Sequence, residues 1–368
     1  MKKDKNAINS KVIWITNLPA PYRVPIWNQL STRLDLKVVS LMGEKNWRNW
    51  KAPKHIFFEH VFLSKKVFRI REYDLIPSIL GVKKLVSEGN VIILGGWESP
   101  FYLAALVFAK HLKIPVIGFY ESTVSTHRFN WSIIKFVRFR FFSNVDYVVT
   151  PGEESTRAVR NMGVDNSKIV TLFNPVDVEW FAKWSSHKAS ISPGAHRYLY
   201  VGQLIQRKNL NVLIESFANI ATESDKLTIV GSGPLLRKLQ DLASKLGIDH
   251  QVEFMGQQSQ KDLVAIYAIS DTLVLPSREE VWGLVVNEAL ACGLHVVVSN
   301  SAGVSSLVKD MAGVFLVEPN VEGVSLGMSS SRKIWDGPVQ SPQIMNFTPE
   351  NFAKEFLQVI TNLKPRKM

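Results

Sequence analysis

The chain has 368 residues, of which 46% are hydrophobic and 21% are charged, and a net charge of +12. This length and composition predict an ordinary globular protein with two domains of typical size. The single cysteine, Cys292, excludes an internal disulfide framework and a cysteine-rich metal site, and the longest apolar run, residues 101–109, is far shorter than the roughly 20 residues that cross a bilayer.

Short apolar strands alternate with amphipathic helices through the first half of the chain, which is the pattern of a parallel α/β sheet. The predicted strands cover residues 12–16, 36–40, 91–94, 116–120, 147–150 and 168–172. A helix is predicted over residues 100–111. The regular pattern stops at residues 174–177, and a serine-rich stretch at 185–194 predicts a linker.

The same alternation then restarts and predicts a second, complete α/β domain. Its strands cover residues 198–201, 226–230, 252–254, 273–275 and 295–299, and its helices cover residues 209–220, 234–246, 262–268 and 283–292. We therefore expect an α/β protein with two Rossmann-like, doubly wound domains that face a central cleft. The first domain would cover residues 1–177 and the second residues 178–348. Ligands of such sheets bind at the carboxyl ends of the strands.

The excess of positive over negative charge lies entirely in the first half of the chain. Residues 1–175 contain 26 Lys or Arg against 13 Asp or Glu, whereas residues 176–368 contain 18 against 19. Anionic membranes and nucleic acids are the usual partners of such an asymmetry. We favour a membrane, because residues 128–142 interleave basic and aromatic side chains, as helices at a lipid surface do. The alternative is a buried helix whose basic side chains reach solvent at its rim.

Two carboxylates, Glu280 and Glu288, lie in the most informative segment of the chain, residues 276–293. Glu280 follows a strand, and Glu288 lies inside the helix that starts near Gly283. A helix N-terminus offers free N–H groups and partial positive charge to a phosphate. Carboxylates on both sides would accept hydrogen bonds from sugar hydroxyls, which fits a nucleotide-sugar. The alternative is a surface loop and a solvated helix face, although a carboxylate in this apolar helix is costly unless it is paired or ligand-bound.

A second motif, residues 201–209, places Gly202, Arg207 and Lys208 between a strand and a helix. Glycine lets a ligand approach the backbone closely. The two cations precede the helix, so together they would neutralise a diphosphate through charge-assisted contacts. The alternative is a solvated basic corner.

Two loops in the first half of the chain follow predicted strands and are expected to reach the cleft. The first contains Pro21 and Arg23, and this arginine would meet a phosphate or an anionic acceptor. The second contains Glu121 and His127, either of which would orient an acceptor hydroxyl. The alternatives are a rigid loop closed by two prolines, and a structural or surface histidine.

Other signatures of nucleotide and metal chemistry are missing from the sequence. The turn at residues 231–234 lacks the third glycine of a dinucleotide fingerprint, so a tight strand-to-helix turn is the better interpretation. The sequence contains no P-loop, no Asp-x-Asp and no His/Cys cluster with metal-ligand spacing. We therefore expect neither a metal nor another cofactor.

The two motifs around Lys208 and Glu280, with the turn at residues 231–234, resemble the C-terminal domain of GT-B glycosyltransferases of family four. These are retaining enzymes that use nucleotide-sugars. The resemblance covers nearly the whole chain and is strongest over residues 198–300. It implies an acceptor-binding N-terminal domain and a nucleotide-sugar-binding C-terminal domain. It also implies that a C-terminal helix, residues 349–368, packs back on the N-terminal domain.

The resemblance carries roles over to particular residues. Arg207 and Lys208 would hold the donor diphosphate, which the backbone at the start of the helix would cap. Glu288 would bond the ribose hydroxyls, and Glu280 would lie against the donor sugar. The implied donor-binding residues are Gly202, Arg207, Lys208, Gly283, Leu284, Val285 and Glu288.

The N-terminal half departs from the family pattern. Ala20-Pro21 stands where many members carry two glycines, and Glu121 stands near the place of a histidine. These variants resemble a subgroup that acts on bacterial surface polysaccharides. The residues expected on the acceptor side are Pro21, Arg23 and Glu121, and the residues expected to be catalytic are Arg207, Lys208, Glu280, Glu121 and His127.

The predicted activity is transfer of a sugar, with retention, from a UDP- or GDP-linked donor to a saccharide acceptor in bacterial surface polysaccharide synthesis. We expect a lipid-linked acceptor, and a location in the cytoplasm or at the inner face of the cell membrane. One alternative is a nucleotide-sugar 2-epimerase of the same architecture. Another is a non-catalytic basic protein that binds a membrane or nucleic acid. The near-neutral second half and the lack of an aromatic RNA-binding motif count against nucleic acid.

Overall fold

The computed structural model describes residues 10–42, 55–64, 68–70, 73–75, 79–124, 126, 131–183 and 194–363. The chain divides into two compact units, Met1–Asn174 with Pro349–Met368, and Pro175–Thr348. We call them the N-terminal unit and the C-terminal unit. The boundary lies after residue 174, whereas the sequence predicts it after residue 177. The predicted linker covers residues 185–194, and residues 185–193 of it lie outside the described part of the chain.

Strands and helices alternate along both units. The strands are β1 Lys11–Thr16, β2 Asp35–Met42, β3 Glu59–Ser64, β4 Phe68–Ile70, β5 Tyr73–Leu75, β6 Val91–Leu94, β7 Val116–Phe119, β8 Tyr147–Pro151, β9 Ile169–Leu172, β10 Arg197–Val201, β11 Lys226–Val230, β12 Val252–Gly256, β13 Thr272–Leu275, β14 His295–Ser299 and β15 Val314–Val317. The helices are α1 Val24–Ser31, α2 Val82–Ser87, α3 Pro100–His111, α4 Ser132–Ser143, α5 Gly152–Asn161, α6 Val178–Ala182, α7 Leu210–Ile220, α8 Leu236–Lys245, α9 Gln260–Ala268, α10 Leu284–Ala291, α11 Ser305–Val308, α12 Val321–Ile334 and α13 Pro349–Thr361.

The N-terminal unit is built on a parallel sheet. Among the described residues, its strands follow the order β3-β2-β1-β6-β7-β8-β9, and β4 pairs with β5 in a separate antiparallel hairpin. The central strand β1 is buried on both faces. Ile13 and Ile15 belong to an apolar cluster with residues of α2 and α3, while the Trp14 ring stacks on Phe356 of α13 with 5.2 Å between the centroids. Helices therefore cover both faces of the sheet, which explains the continuous apolar sequence of β1.

Helix α13 belongs to the N-terminal unit although it follows the C-terminal unit in sequence. It lies against α1 and β9. The helix ends at Thr361, whereas the resemblance implies a helix that extends to residue 368. The residue before a proline avoids helical backbone angles, so Pro365 limits how far the helix can extend. Residues 364–368 lie outside the described part of the chain.

The C-terminal unit contains a second parallel sheet, in which the described strands follow the order β12-β11-β10-β13-β14-β15. The order reverses between β10 and β13, which pair Tyr198 with Thr272. Loops that leave the carboxyl ends of these two strands therefore emerge at a topological switch point, where α/β sheets bind ligands. The two sheets confirm the predicted α/β class with two Rossmann-like domains.

The turns after β10 and β11 contact each other through their backbones. The Gly202 N–H donates to the Val230 carbonyl oxygen at 3.0 Å. A Cβ atom on Gly231 would lie 1.8 Å from the Gly202 carbonyl oxygen, so no other residue fits at this position without moving the backbone. This geometry confirms the tight turn predicted at residues 231–234. Helix α8 begins at Leu236, two residues later than the sequence predicts.

Candidate active site

The basic turn after β10 is held against the loop after β13. Residues Gln206–Lys208 form a 3₁₀ turn, and Asn209 then adopts a left-handed backbone conformation with a φ of 60°. The Asn209 side-chain amide donates to the carbonyl oxygens of Pro276 and Pro319 at 3.1 and 2.9 Å. Asparagine tolerates left-handed backbone angles better than most residues. This clamp fixes the direction in which the preceding lysine side chain leaves the backbone.

Lys208 and Glu280 form an ion pair in which the ammonium group donates to the carboxylate. Both residues are largely buried, with relative exposures of 8% and 9%. The Arg207 guanidinium lies 3.9 Å from the other Glu280 oxygen and donates to the Glu279 carbonyl oxygen at 3.1 Å. We call Arg207, Lys208 and Glu280 the cation cluster. Two positive charges against one negative charge leave this cluster with an excess that favours a bound anion.

The N-terminus of α10 lies beside the cation cluster. Gly283 precedes the helix with a φ of 101°, and no side chain caps it. The first N–H groups of a helix, here those of Leu284 and Val285, have no intrahelical acceptor and carry the positive end of the helix dipole. A Cβ atom on Gly283 would lie 3.5 Å from Cγ of Glu280. The helix terminus and the two cations therefore concentrate positive potential at one place.

Backbone hydrogen bonds anchor the loop that carries Glu280. The Gly303 N–H donates to the Glu280 carbonyl oxygen, and the Val304 N–H donates to the Trp282 carbonyl oxygen, each at 3.0 Å. The loop is thus held on a second side, by the segment after β14. The carboxylate cannot leave the two cations without a side-chain rotation, because its backbone is fixed.

Glu288 lies on α10, beyond the first turn of the helix, and is half-buried. The hydroxyl of Tyr267, a fully buried residue of α9, donates to Oε2 of Glu288 at 2.8 Å. Burial raises the pKa of Glu288 to about 7, and the tyrosine hydrogen bond opposes this rise. A solvated helix face would produce neither the partner nor the shift. The structure therefore favours a paired carboxylate over a solvated helix face, and ligand binding by Glu288 stays a prediction.

The predicted donor-side residues converge at the switch point of the C-terminal unit. Gly202 follows β10, the cation cluster joins the loops after β10 and β13, and Gly283 immediately precedes α10. The sequence did not single out Asn209 or Tyr267, and their partners lie 21 or more residues away. Within the part of the chain that the structure describes, no group of three or more His, Cys, Asp or Glu side chains is arranged to hold a metal ion. Metal independence stays a prediction.

In the N-terminal unit, Arg23 and Glu121 form an ion pair. Arg23 ends the 3₁₀ turn Pro21–Arg23, where the proline occupies the first position, and Glu121 follows β7. The guanidinium is buried and lies 4.3 Å from the centroid of the Phe119 ring. Arg23 thus has a carboxylate partner within its own unit. His127, the other residue predicted for this side, lies outside the described residues.

A second polar group in the N-terminal unit was not predicted. The Asn17 amide donates to Glu98 at 2.7 Å, and the buried Tyr102 hydroxyl donates to the Asn17 amide oxygen at 2.9 Å. Asn17 follows β1 and Glu98 follows β6, which are the strands at the switch point of this sheet. The signal that could have found this group is the strand order, because both loops leave the same edge of the sheet.

Helix α4 and the residue before it present an exposed apolar surface. Trp131, Ile133 and Phe136 are 71%, 70% and 61% exposed. Arg138, one of the basic residues in the predicted surface segment, is buried and its guanidinium lies 4.7 Å from the centroid of the Trp97 ring. One face of the helix therefore packs into the core, and the other face is exposed. No helix in the described ranges is long and apolar enough to cross a bilayer.

Two family models match the chain. The model described as glycosyl transferases group 1 matches residues 183–330, and the model described as glycosyltransferase family 4 matches residues 49–180. The first match includes the cation cluster and α10, and the second lies in the N-terminal unit. The chain therefore belongs to the group 1 glycosyltransferases of the GT-B fold, and the resemblance deduced from its motifs is confirmed.

Relatives and solved structures agree with this family. An uncharacterised glycosyltransferase of Methanocaldococcus jannaschii is 26% identical over 321 residues, which cover 81% of this chain and 80% of the relative. The alpha-monoglucosyldiacylglycerol synthase of Streptococcus pneumoniae is 25% identical over 282 residues, which cover 70% of this chain and 63% of the relative. The HepE protein of Anabaena, solved in complex with UDP, has the same fold, with a TM-score of 0.74, 15% identity, and coverage of 97% of this chain and 100% of that one.

Proposed function

We propose that this glycosyltransferase moves a sugar from a nucleoside-diphosphate sugar to a saccharide acceptor, with retention of configuration and without a metal. The observation that carries the proposal is the cation cluster beside the uncapped N-terminus of α10. Two cations and a helix dipole at one edge of the sheet suit an anion with more than one negative charge. A diphosphate has that charge.

The main task of the site would be to stabilise the departing diphosphate. Negative charge grows on the diphosphate as its bond to the sugar breaks, and preorganised cations and dipoles stabilise this charge most in the transition state. Arg207 and Lys208 would supply the cations, and the N–H groups of Leu284 and Val285 would supply the dipoles. The acceptor hydroxyl would attack from the face that the diphosphate leaves, which preserves the configuration at the sugar carbon.

The two carboxylates of the C-terminal unit would bind hydroxyl groups of the donor. When a diphosphate engages Lys208, the Glu280 carboxylate would be free to accept a hydrogen bond from the donor sugar. Glu288 would accept hydrogen bonds from the ribose, and Gly202 would let the nucleotide approach the backbone. UDP is the first nucleotide to test, since the Anabaena HepE protein has been solved with UDP and with UDP-glucose. GDP is the second.

The N-terminal unit would bind the acceptor, with Glu121 as the group that orients the attacking hydroxyl. Its carboxylate is paired with the buried Arg23 and remains 34% exposed. A hydroxyl group could therefore donate to it from solvent. Pro21 would shape the turn that holds Arg23, and a role for His127 stays a prediction.

We further propose that the acceptor is lipid-linked and that the protein acts at the inner face of a bacterial membrane, in surface polysaccharide synthesis. The exposed Trp131, Ile133 and Phe136 lie on the same segment as the exposed Lys135. Aromatic and basic side chains together bind the interface of an anionic bilayer. The name of the Streptococcus pneumoniae relative, alpha-monoglucosyldiacylglycerol synthase, supports a membrane acceptor.

The first test is thermal unfolding of the protein with UDP, GDP, ADP and a single-stranded DNA oligomer. We expect UDP or GDP to raise the melting temperature and DNA to leave it unchanged, because a ligand stabilises the state that binds it. The next test measures release of UDP or GDP from sugar donors with and without saccharide acceptors. Stabilisation by DNA alone would contradict the proposal. Release without an acceptor, together with an isomerised donor sugar, would identify an epimerase.

A further inference from the structure

Tyr267 is a buried polar residue behind the candidate donor site. Its side chain is 0% exposed, and its ring packs edge to face against Phe181 with 6.0 Å between the centroids. The hydroxyl donates to Oε2 of Glu288 at 2.8 Å. Burial and the neighbouring carboxylate hold the pKa of Tyr267 well above its usual value, so the hydroxyl stays protonated and stays a donor.

The hydrogen bond from Tyr267 makes the two oxygens of the Glu288 carboxylate inequivalent. Oε2 is occupied by a fixed, buried donor, while Oε1 accepts no hydrogen bond from the described residues and belongs to a half-buried side chain. A carboxylate held by one oxygen has one preferred orientation, and its other oxygen has a defined direction. The donated proton also favours the ionised form, which alone offers all its lone pairs to a ligand.

We propose that Tyr267 is a positioning residue that locks the Glu288 carboxylate and thereby makes the site selective for a ribose over a deoxyribose. The inference rests on the proposed function, in which Glu288 binds the ribose of the donor. A polar site discriminates when its hydrogen-bond acceptor is held in a fixed orientation and is left unpaired by a ligand that lacks the hydroxyl. Tyr267 fixes the orientation of the Glu288 carboxylate, although it does not contact the ligand itself.

The test compares binding of a ribonucleoside diphosphate and its 2′-deoxy form by calorimetric titration. UDP against dUDP is used, or GDP against dGDP if GDP stabilises the wild-type protein. We expect the wild type to prefer the ribonucleotide by roughly tenfold, the scale of one hydrogen bond to a charged group. Tyr267→Phe should reduce this preference to less than about threefold, mainly by weakening ribonucleotide binding. An unchanged preference in Tyr267→Phe would overturn the inference.

Tyr198→Phe is the matched control, because Tyr198 is also 0% exposed and its hydroxyl donates to the Met328 carbonyl oxygen at 3.1 Å. It should lose stability without losing the preference; a loss of preference there would mean that any buried hydroxyl has this effect and would overturn the inference. Glu288→Gln tests the underlying function. If it keeps the preference, the ribose role of Glu288 is wrong. If it removes the preference and Tyr267→Phe does not, only the positioning role is wrong.

A double variant and a crystal structure complete the test. Tyr267→Phe combined with Glu288→Gln should bind no more weakly than Glu288→Gln alone, because residues that act through one contact are not additive; additive losses would overturn the inference. If Tyr267→Phe does not fold, a crystal structure of the wild type with UDP decides the question. We expect the ribose on Oε1 and Tyr267 still on Oε2, and a ribose hydroxyl on Oε2 in place of Tyr267 would overturn it.

Discussion

The charged groups at the carboxyl ends of the strands have different net charges in the two units. In the C-terminal unit, Arg207 and Lys208 surround Glu280 and leave one positive charge in excess. In the N-terminal unit, Arg23 and Glu121 neutralise each other, and the carboxylate is 34% exposed while the arginine side chain is 5% exposed. Excess positive charge attracts an anion, whereas a neutral pair with an accessible carboxylate suits a hydroxyl group. The contrast supports a donor site in the C-terminal unit and an acceptor site in the N-terminal unit.

The largest expected effect is that of Lys208→Ala, which removes the buried cation from the donor side. We expect turnover to fall by roughly 10²–10³-fold, the loss seen when one group that stabilises developing charge is removed. Steady-state kinetics and nucleotide titration measure the effect. Lys226→Ala is the control, because Lys226 is exposed in the same unit and its ammonium group donates to the His250 carbonyl oxygen. Near wild-type turnover of Lys208→Ala would refute the donor site.

Glu280→Gln should separate binding from turnover. The substitution removes the anion that competes with a diphosphate for Lys208, so we expect UDP or GDP alone to bind up to about tenfold more tightly. Transfer should slow by a similar factor, because the donor sugar loses its charged acceptor. Calorimetry gives the first quantity and initial rates give the second. Weaker nucleotide binding would show that Glu280 assists the diphosphate and would contradict the charge balance described here.

Glu121→Gln should act on the other substrate. We expect the acceptor KM to rise by about five- to tenfold while the donor KM changes little, since a weaker hydrogen-bond acceptor replaces a charged one. Because Glu121 is one-third exposed, solvent should limit the cost of leaving Arg23 without its partner. Glu154→Gln, which breaks the exposed pair with Arg157 in the same unit, is the control. An equal rise in both KM values would remove the distinction between the two units.

The pH dependence of nucleotide binding should follow Glu288. Its pKa is raised to about 7 by burial, so protonation below this pH removes hydrogen-bond acceptors from the ribose site. Affinity for UDP should therefore fall as the pH decreases from 8 to 6, by at most about tenfold per unit. Glu288→Gln, titrated at the same pH values, corrects for protonation of UDP itself. Parallel pH profiles of the two proteins would contradict the prediction.

The raised pKa of Glu288 also makes the stability of the folded protein depend on pH. The folded carboxyl of Glu288 binds its proton more tightly than the unfolded one, since its pKa is raised from 4.5 to about 7. The contribution of this group to stability is therefore largest at low pH and is lost as the pH rises from 4.5 to 7. Ligand binding and stability thus respond to the same proton in opposite directions.

The smallest expected effect concerns the exposed surface of α4. Replacing Trp131 and Phe136 by serine should lower binding to vesicles that contain phosphatidylglycerol by several-fold, with little change in transfer to a soluble acceptor. Co-sedimentation measures the bound fraction. Leu326→Ser, at a residue of the C-terminal unit that is 68% exposed, is the control. Equal loss of binding in the control would show that any exposed apolar side chain contributes.

Much of the fold could be predicted from local patterns. Strands β6, β11 and β14 have the predicted bounds, because each is mainly apolar and is followed by a glycine or a polar residue. Helix α3 also has its predicted bounds, since Ser99 caps it and a proline occupies its first position. In the donor motifs, glycines and charges close together in sequence are also close together in space.

The remaining elements had weak local signals. Strand β15 is partly exposed and only four residues long, and α12 contains two glycines and several serines, which are poor helix formers. Contacts between residues that are far apart in sequence could not be predicted either. The pairs Arg23–Glu121 and Tyr267–Glu288 each join two loops or helices. Periodicity predicts the type of an element, but not which elements become neighbours in the sheet.

The placement of α13 has a consequence for how the protein can be divided. The C-terminal unit is one uninterrupted segment, whereas the N-terminal unit needs both ends of the sequence. A stop codon at the start of α13 would remove Phe356, which stacks on Trp14 in the first strand. Loss of α13 would thus destabilise the unit whose strands are synthesised first. On the ribosome, that half can complete its core only after the other half has emerged.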